Sequence, residues 1–106
     1  MAVPDILDAL SDPTRRRILV GLSEGERPVA QITADLPISQ PAVSQQLKVL
    51  REAGLVTMRA EGQRRIYALN VEPLAEVGLW MLQLAGFWNQ SLDKLETKIR
   101  ESIDAA

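Results

Sequence analysis

Two residue types are missing from this 106-residue chain altogether, cysteine and histidine. Without Cys there is no disulfide framework, no thiolate metal site and no thiol redox switch. Without His as well, the chain lacks the ligands that zinc and related metals prefer, the usual nucleophile and base pairs, and the side chain that titrates near neutral pH. No Gly-rich phosphate loop is present, and the acids are scattered over helix surfaces. Neither a catalytic constellation nor a cofactor cradle is therefore expected. Aromatics are scarce too, with two Trp, one Tyr and one Phe. Trp80, Phe87 and Trp88 fall together towards the C-terminus, so the exposed stacking platform of a single-strand nucleic-acid binder is absent. No apolar run is long enough to span a bilayer, and Met1 to Leu10 carries acids in place of the basic start of a signal peptide. A soluble, cytoplasmic single domain is expected, of a size that gains from oligomerising.

The formal charge of −2 argues against a nucleic-acid binder until its distribution is considered. From Asp12 to Tyr67 there are nine Lys or Arg against six Asp or Glu, whereas the two flanks hold three basic and eight acidic residues. The middle is basic and the ends are acidic.

Within that basic middle, Ile38 to Leu55 (ISQPAVSQQLKVLREAGL) carries the densest signal. Ser39 has the chemistry of an N-cap, Pro41 falls in the first turn where its missing N–H costs nothing, and Gly54 supplies the stop, so a helix is predicted over 39–53. Val43, Leu47 and Leu50 recur at helical spacing and form its buried face, with Ile38, Ala53 and Leu55 flanking. Gln40, Ala42, Ser44, Gln45, Lys48 and Arg51 or Glu52 remain outside. That is the equipment of a major-groove helix: a Gln amide pairs with an adenine edge, Ser donates or accepts, and Ala meets a thymine methyl.

The neighbours fit this assignment. Val3, Ile6, Leu7 and Leu10 fall on one side of a short N-terminal segment. Asp12 and Pro13 then read as cap and first residue of a helix ending at Ser23 that buries Ile18, Leu19 and Leu22. Arg15, Arg16 and Arg17 open it and point in different directions. Either one is tied internally to an acid such as Asp12 or Glu52 while the others are solvated, or one or two, Arg16 among them, touch phosphate. Pro28 is predicted to open a third short helix with Val29, Ile32 and Leu36 inward, ended by Pro37. Only Pro37 and Ile38 then separate it from the reading helix, a helix-turn-helix arrangement. After Gly54 the period changes: Leu55–Ala60 and Arg65–Asn70 read as two strands joined through Glu61, Gly62, Gln63 and Arg64, a wing over 55–70. Arg59, Arg64 and Arg65 cluster there, suited to phosphate contact and equally to keeping a sheet edge from pairing with another molecule.

With ALSDPTRRRIL, ISQPAVSQQLKVLREAGLV and EGQRRIYAL in this order, the chain resembles the ArsR/SmtB family of winged-helix repressors over essentially its whole length. The likeness is to the branch with an aromatic pair like Phe87–Trp88 in the last helix. The resemblance implies a homodimer that binds an inverted repeat in duplex DNA and is released by an effector. It also marks a departure. The Cys-Val-Cys type positions of metal-sensing members fall on Pro28, Val29 and Ala30, which offer no ligand, and Glu72, Glu76, Asp93 and Glu96 in the last segment come without His. No metal or cofactor is expected.

From Leu74, the residues Val77, Met81, Leu84, Trp88, Leu92, Leu95, Ile99 and Ile103 step by three or four, and Trp80 and Phe87 widen the stripe. The segment 72–104 is predicted to be either one long helix or a short one running into a long one near Val77–Trp80, Gly78 and Gly86 loosening it. About 30 helical residues reach ~45 Å, longer than a domain of this size covers alone.

The expected fold is thus mainly α with a small β-hairpin wing, four helices, two strands and one or two terminal helices, dimeric through its terminal helices. Gln40, Ser44 and Gln45 are candidate base readers, with Ala42 beside them. Ser39, Lys48, Arg59, Arg64 and Arg65 are candidate backbone contacts. Ile6, Leu7, Met81, Leu84, Trp88, Leu92 and Leu95 are candidate dimer contacts. A small apolar effector fits a seam lined by Trp80, Met81, Leu84 and Trp88, though side chains alone also fill such seams. The alternative is a winged helix that meets another protein; an enzyme comes a distant third.

Overall fold

The computed structural model describes residues 3–105, with side chains from residue 5 onward, so the apolar contact expected of Val3 lies outside the described side chains. The elements are α1 (Val3–Ala9), α2 (Pro13–Leu22), β1 (Arg27–Pro28), α3 (Val29–Ala34), α4 (Gln40–Glu52), β2 (Val56–Glu61), β3 (Arg64–Leu69) and α5 (Val71–Asp104). By its internal contacts the chain forms two compact units, residues 1–75 and 76–106.

The start of α2 is fixed by its cap. Asp12 is extended (φ −93°, ψ 129°), its carboxylate accepts the Arg15 backbone N–H at 3.0 Å, and Pro13 follows with φ already suited to a helix. Ser23 is the C-cap and not part of the helix, and Ile18, Leu19 and Leu22 are buried as expected.

Pro28 does not open α3. Its extended backbone (φ −72°, ψ 155°) pairs as strand β1 with Ile66 of β3, and α3 begins one residue later. It holds six residues, with Val29 and Ile32 buried. Leu36 lies beyond it, half-buried, so Asp35–Ser39 joins the helices in place of the two-residue turn expected.

The inner stripe of α4 is the centre of the core: Val43, Leu47 and Leu50 have no exposed surface. The helix ends at Gly54, whose φ of 78° is left-handed and open to Gly at little cost. There the Gly54 N–H donates to the Arg51 carbonyl at 3.0 Å and the Leu55 N–H to the Leu50 carbonyl at 2.9 Å. This pair of bonds is the Schellman ending, and its apolar partners Leu50 and Leu55 are both fully buried.

The reversal launches β2 antiparallel to β3, with Met58 opposite Tyr67 and Glu61 opposite Arg64, so the strands run one residue closer to the tip than predicted. Gly62 (φ 63°) and Gln63 form a two-residue turn of the kind that matches strand twist. With β1 on the other side the order is β1-β3-β2, a three-stranded sheet where two strands were expected. Ile66 and Tyr67 face opposite sides of the central strand and are both buried. Asn70 closes the structure: its N–H donates to the Leu55 carbonyl at 2.9 Å and its amide to the Gly54 carbonyl at 2.8 Å.

All three arginines are tied internally, though none to an acid, and Arg15 most extensively. Arg15 donates to the Ala9 carbonyl at 2.7 Å and to Gln46 Oε1 at 2.9 Å, joining the end of α1 to α4. Ile6, expected at a dimer interface, is instead fully buried in the chain as it stands. It shares one side of α1 with buried Ala9, three residues on, and only half-buried Leu7 retains exposed surface. The last segment is one continuous helix of 34 residues, without a break near Val77–Trp80. Gly78 and Gly86 keep negative φ within it, and no described helix is long and apolar enough to cross a membrane.

Leu47→Ala is expected to lower unfolding free energy by about 2–5 kcal/mol, since a fully buried side chain leaves a cavity. Gly54→Ala is expected to cost about 1–2 kcal/mol through the left-handed backbone alone. Urea unfolding followed by far-ultraviolet circular dichroism checks both, and equal midpoints to the parent would contradict the packing described.

Candidate nucleic-acid interface

The surface of α4 is set by the same period that buries its stripe. Ser39 is extended (φ −70°, ψ 158°) and its hydroxyl accepts the Ala42 N–H at 3.3 Å, so the first turn of α4 is capped and presented outward. Gln40, Gln45, Lys48, Arg51 and Glu52 are exposed, and Ala42 and Ser44 are half-buried. The Gln amides and the short hydroxyl are held on a well-packed helix.

The hairpin brings a second group of side chains alongside. Gln40, residues 28–30 at the start of α3 and residues 63–65 of the wing line one cleft of about 250 Å³. The structure therefore joins Gln40 with Arg64 and Arg65, which the sequence placed on separate motifs. It adds Gln63, which had been given no role. The hairpin assignment itself carried that signal, because the residue after Gly62 must sit at the tip. Both arginines are exposed, and neither has a carboxylate within 4 Å among the described residues. A guanidinium pair beside two amides, at the edge of an exposed helix, is chemistry for a phosphate backbone.

Arg59 is placed differently. Its guanidinium donates to both oxygens of Glu26, at 2.7 and 3.0 Å, and to Glu61 at 2.8 Å. The Glu26 hydrogen bond, more than any other influence, holds its pKa above the ordinary arginine value. Its charge is thus already answered, so it differs from the free cations at the tip. Glu26 lies 33 residues away in sequence, and spacing alone gave no sign of it. Arg16 is also apart. It donates to the Leu10 carbonyl at 2.9 Å and lines a groove with Leu10, Leu19 and Leu69 that shares no residue with the Gln40–Arg65 cleft. The structure thus sets Arg16 and Arg59 apart from Gln40, Arg64 and Arg65. Arg17 reaches only the Asp35 carbonyl, at 3.4 Å.

Known proteins share this arrangement. The sequence profile of the bacterial regulatory proteins of the ArsR family matches residues 12–58, the span from the α2 cap into β2. The HTH-type transcriptional regulator Rv2034 of Mycobacterium tuberculosis is 45% identical over 84 residues, 79% of this chain and 76% of that protein. The chain belongs to the ArsR family. The transcriptional repressor SdpR of Bacillus subtilis is 36% identical over 78 residues, covering 74% of this chain and 87% of that one. Among solved structures, the ArsR family transcriptional regulator RHA00566 superposes with a TM-score of 0.76 at 28% identity, over 82% of this chain and 96% of the other. The fold is accordingly the ArsR-type winged helix, and the chain is a DNA-binding transcriptional regulator and not an enzyme.

Glu26→Gln is expected to strengthen binding to unrelated duplex DNA several-fold, because it removes one negative charge beside the wing and leaves Arg59 with Glu61 alone. The slope of log affinity against log salt is expected to steepen by up to about 1. Fluorescence anisotropy at three salt concentrations reads both, and an unchanged slope would mean that Arg59 does not approach phosphate.

Proposed function

We propose that this ArsR-family chain is a cytoplasmic homodimeric repressor that binds an inverted-repeat operator near its own gene or a neighbouring one. The observation that carries this reading is the cleft shared by Gln40, Gln63, Arg64 and Arg65, because it sets the wing's free cations beside the polar face of α4. In this reading Gln40, Ser44 and Gln45, with Ala42, meet base edges in the major groove. Ser39, Lys48, Arg64 and Arg65 hold the phosphates on either side. Repression is supported by SdpR, which is named a repressor.

Pairing is supported by what α5 leaves uncovered. Trp88 is 61% and Phe87 66% exposed, and Met81, Leu84, Leu92 and Leu95 lie open beside them. An apolar surface of this extent on a regulatory protein calls for a partner, and two-fold pairing of α5 with its copy supplies one. Two reading helices about 34 Å apart then match successive major grooves. A small apolar effector between the paired helices, near Trp80 and Met81, would act by changing that spacing.

The decisive experiment is a titration of the protein into the duplex upstream of its reading frame, at low and moderate salt, with excess unrelated competitor. Binding that survives competitor at two chains per site is expected, and binding that competitor abolishes would overturn the operator assignment. With that duplex, Gln45→Ala is expected to relax discrimination at one base pair by about 1–3 kcal/mol. Arg64→Ala should weaken all sequences alike and reduce the salt slope by about 1. Trp88→Ala is expected to shift sedimentation towards monomer, and a fully dimeric variant would contradict the α5 seam.

A further inference from the structure

The charges of α5 are not spread evenly along it. Two acids, Glu72 and Glu76, open the helix, and no charge follows from Val77 to Leu92. Glu72, Glu76, Trp80, Phe87, Lys94 and Lys98 succeed one another at intervals of four or seven residues, the spacing that returns to one side of a helix. All six are exposed, Trp80 least at 39%. Along this side the helix therefore reads acid, acid, aromatic, aromatic, base, base. Among the described residues none of the four charged members has an ion-pair partner within 4 Å. The other charges of the helix stand differently. Arg100 holds Glu96 at 2.6 Å, Asp93 lies on another side, and Glu101 and Asp104 come after Lys98.

We propose that this side of α5 is a self-complementary seam, on which a second copy of the chain lays its own α5 antiparallel, Glu72 and Glu76 of each chain pairing with Lys98 and Lys94 of the other. It rests on the α5 pairing proposed for the homodimer and adds its orientation, its register and the charges that select the partner. Glu72 and Lys98 lie thirteen residues to either side of Ala85, and Glu76 and Lys94 lie nine residues to either side. One antiparallel register, with its two-fold axis at Ala85, therefore answers all four charges of both chains. It also brings Trp80 of one chain within a helical turn of Phe87 of the other, and it opposes the two helix dipoles. Glu101 in this register falls beyond the start of the other α5. A parallel pairing on this side would set Glu72 against Glu72 and Lys98 against Lys98. A different protein would need the same charges at the same spacing in reverse, whereas a second copy carries them by symmetry. Exposed ion pairs are individually weak, so the apolar residues supply the affinity and the charges choose the partner and its register.

Two charge-reversed full-length chains test the pairs, one carrying Glu72→Lys and Glu76→Lys, the other Lys94→Glu and Lys98→Glu. Each alone is expected to dimerise at least tenfold more weakly than the parent at low salt, because every seam pair becomes repulsive, and the deficit should shrink at high salt. An equimolar mixture is expected to recover dimer to within about threefold of the parent, since pairing one variant with the other restores opposite charges throughout. Analytical ultracentrifugation reads all three samples, and recovery on mixing shows that both variants are folded. Orientation is read separately. The chain has no cysteine of its own, so Arg100→Cys, at an exposed position well off the seam, carries one spin label per chain. At a rise of about 1.5 Å per residue the two labels are expected about 45 Å apart, against less than about 30 Å in a parallel pair. Variants that dimerise like the parent, a mixture that recovers no dimer, or the short label distance would overturn the antiparallel seam while leaving the homodimer in place. A parent chain that stays monomeric would overturn both and leave this side of α5 to a different protein.

Discussion

Everything after α4 depends on how the chain turns at Gly54. A residue with a Cβ pays for φ near 78°, and without the left-handed turn the Leu55 N–H cannot reach back to the Leu50 carbonyl. The turn does two things together. It ends α4 while Leu50 is still in the core, and it directs Leu55 into that core, so β2 leaves in a fixed direction. Asn70 then returns from the far end of β3 to take the carbonyls of both Gly54 and Leu55. The hairpin is closed onto the helix end at its base, and its tip, carrying Arg64 and Arg65, is positioned relative to Gln40 by hydrogen bonds some ten residues away. The cleft between helix and wing is a consequence of that closure.

Electrostatics is sorted by the same architecture. Of the arginines in the first unit, Arg15, Arg27 and Arg59 are occupied with internal partners: the Gln46 amide and α1 carbonyls for Arg15, Glu24 and Asp35 for Arg27, Glu26 and Glu61 for Arg59. These contacts join parts of the chain distant in sequence. Because the ion pairs are largely exposed, their value lies more in orientation than in stability. Arg16 and Arg17 reach only backbone carbonyls, and with the cations at the wing tip and along α4 they keep charge to offer a ligand. A chain whose total charge is −2 can therefore present a basic face, and acids beside Arg59 and Arg27 account for part of the difference.

Local rules with a strong chemical signature made much of this legible. The Asp12–Pro13 start, the Ser39 cap, the 43–47–50 stripe and the Gly54 stop each involve residues within a few positions of one another, and all stand as read. The hairpin was found from its period and its Gly. What escaped was decided at a distance or by competition. β1 has two residues, too few for any period, and exists because β3 offers a free edge. Pro28 is acceptable both as a helix opener and as an edge-strand residue, and pairing with Ile66 decided between them. Periodicity marked Ile6 as apolar but carried no record of which neighbour covers it. In α5 the dominant stripe drew attention from Leu79 and Leu82, which are 60% and 71% exposed and stand off it, so that this part of the helix is apolar on more than one side. For the candidate site, residue types on α4 were readable because its buried face fixes its outer face. The association of Gln40 with Gln63, and the internal partners of Arg59 and Arg16, needed the tertiary fold.

The stretch from Val77 to Trp88 contains no charged residue, and most of its large side chains are uncovered. A helical stretch with no charge and with its large side chains open holds nothing that repels a second copy of itself, so a surface suited to specific pairing is equally suited to uncontrolled association when the chain is concentrated.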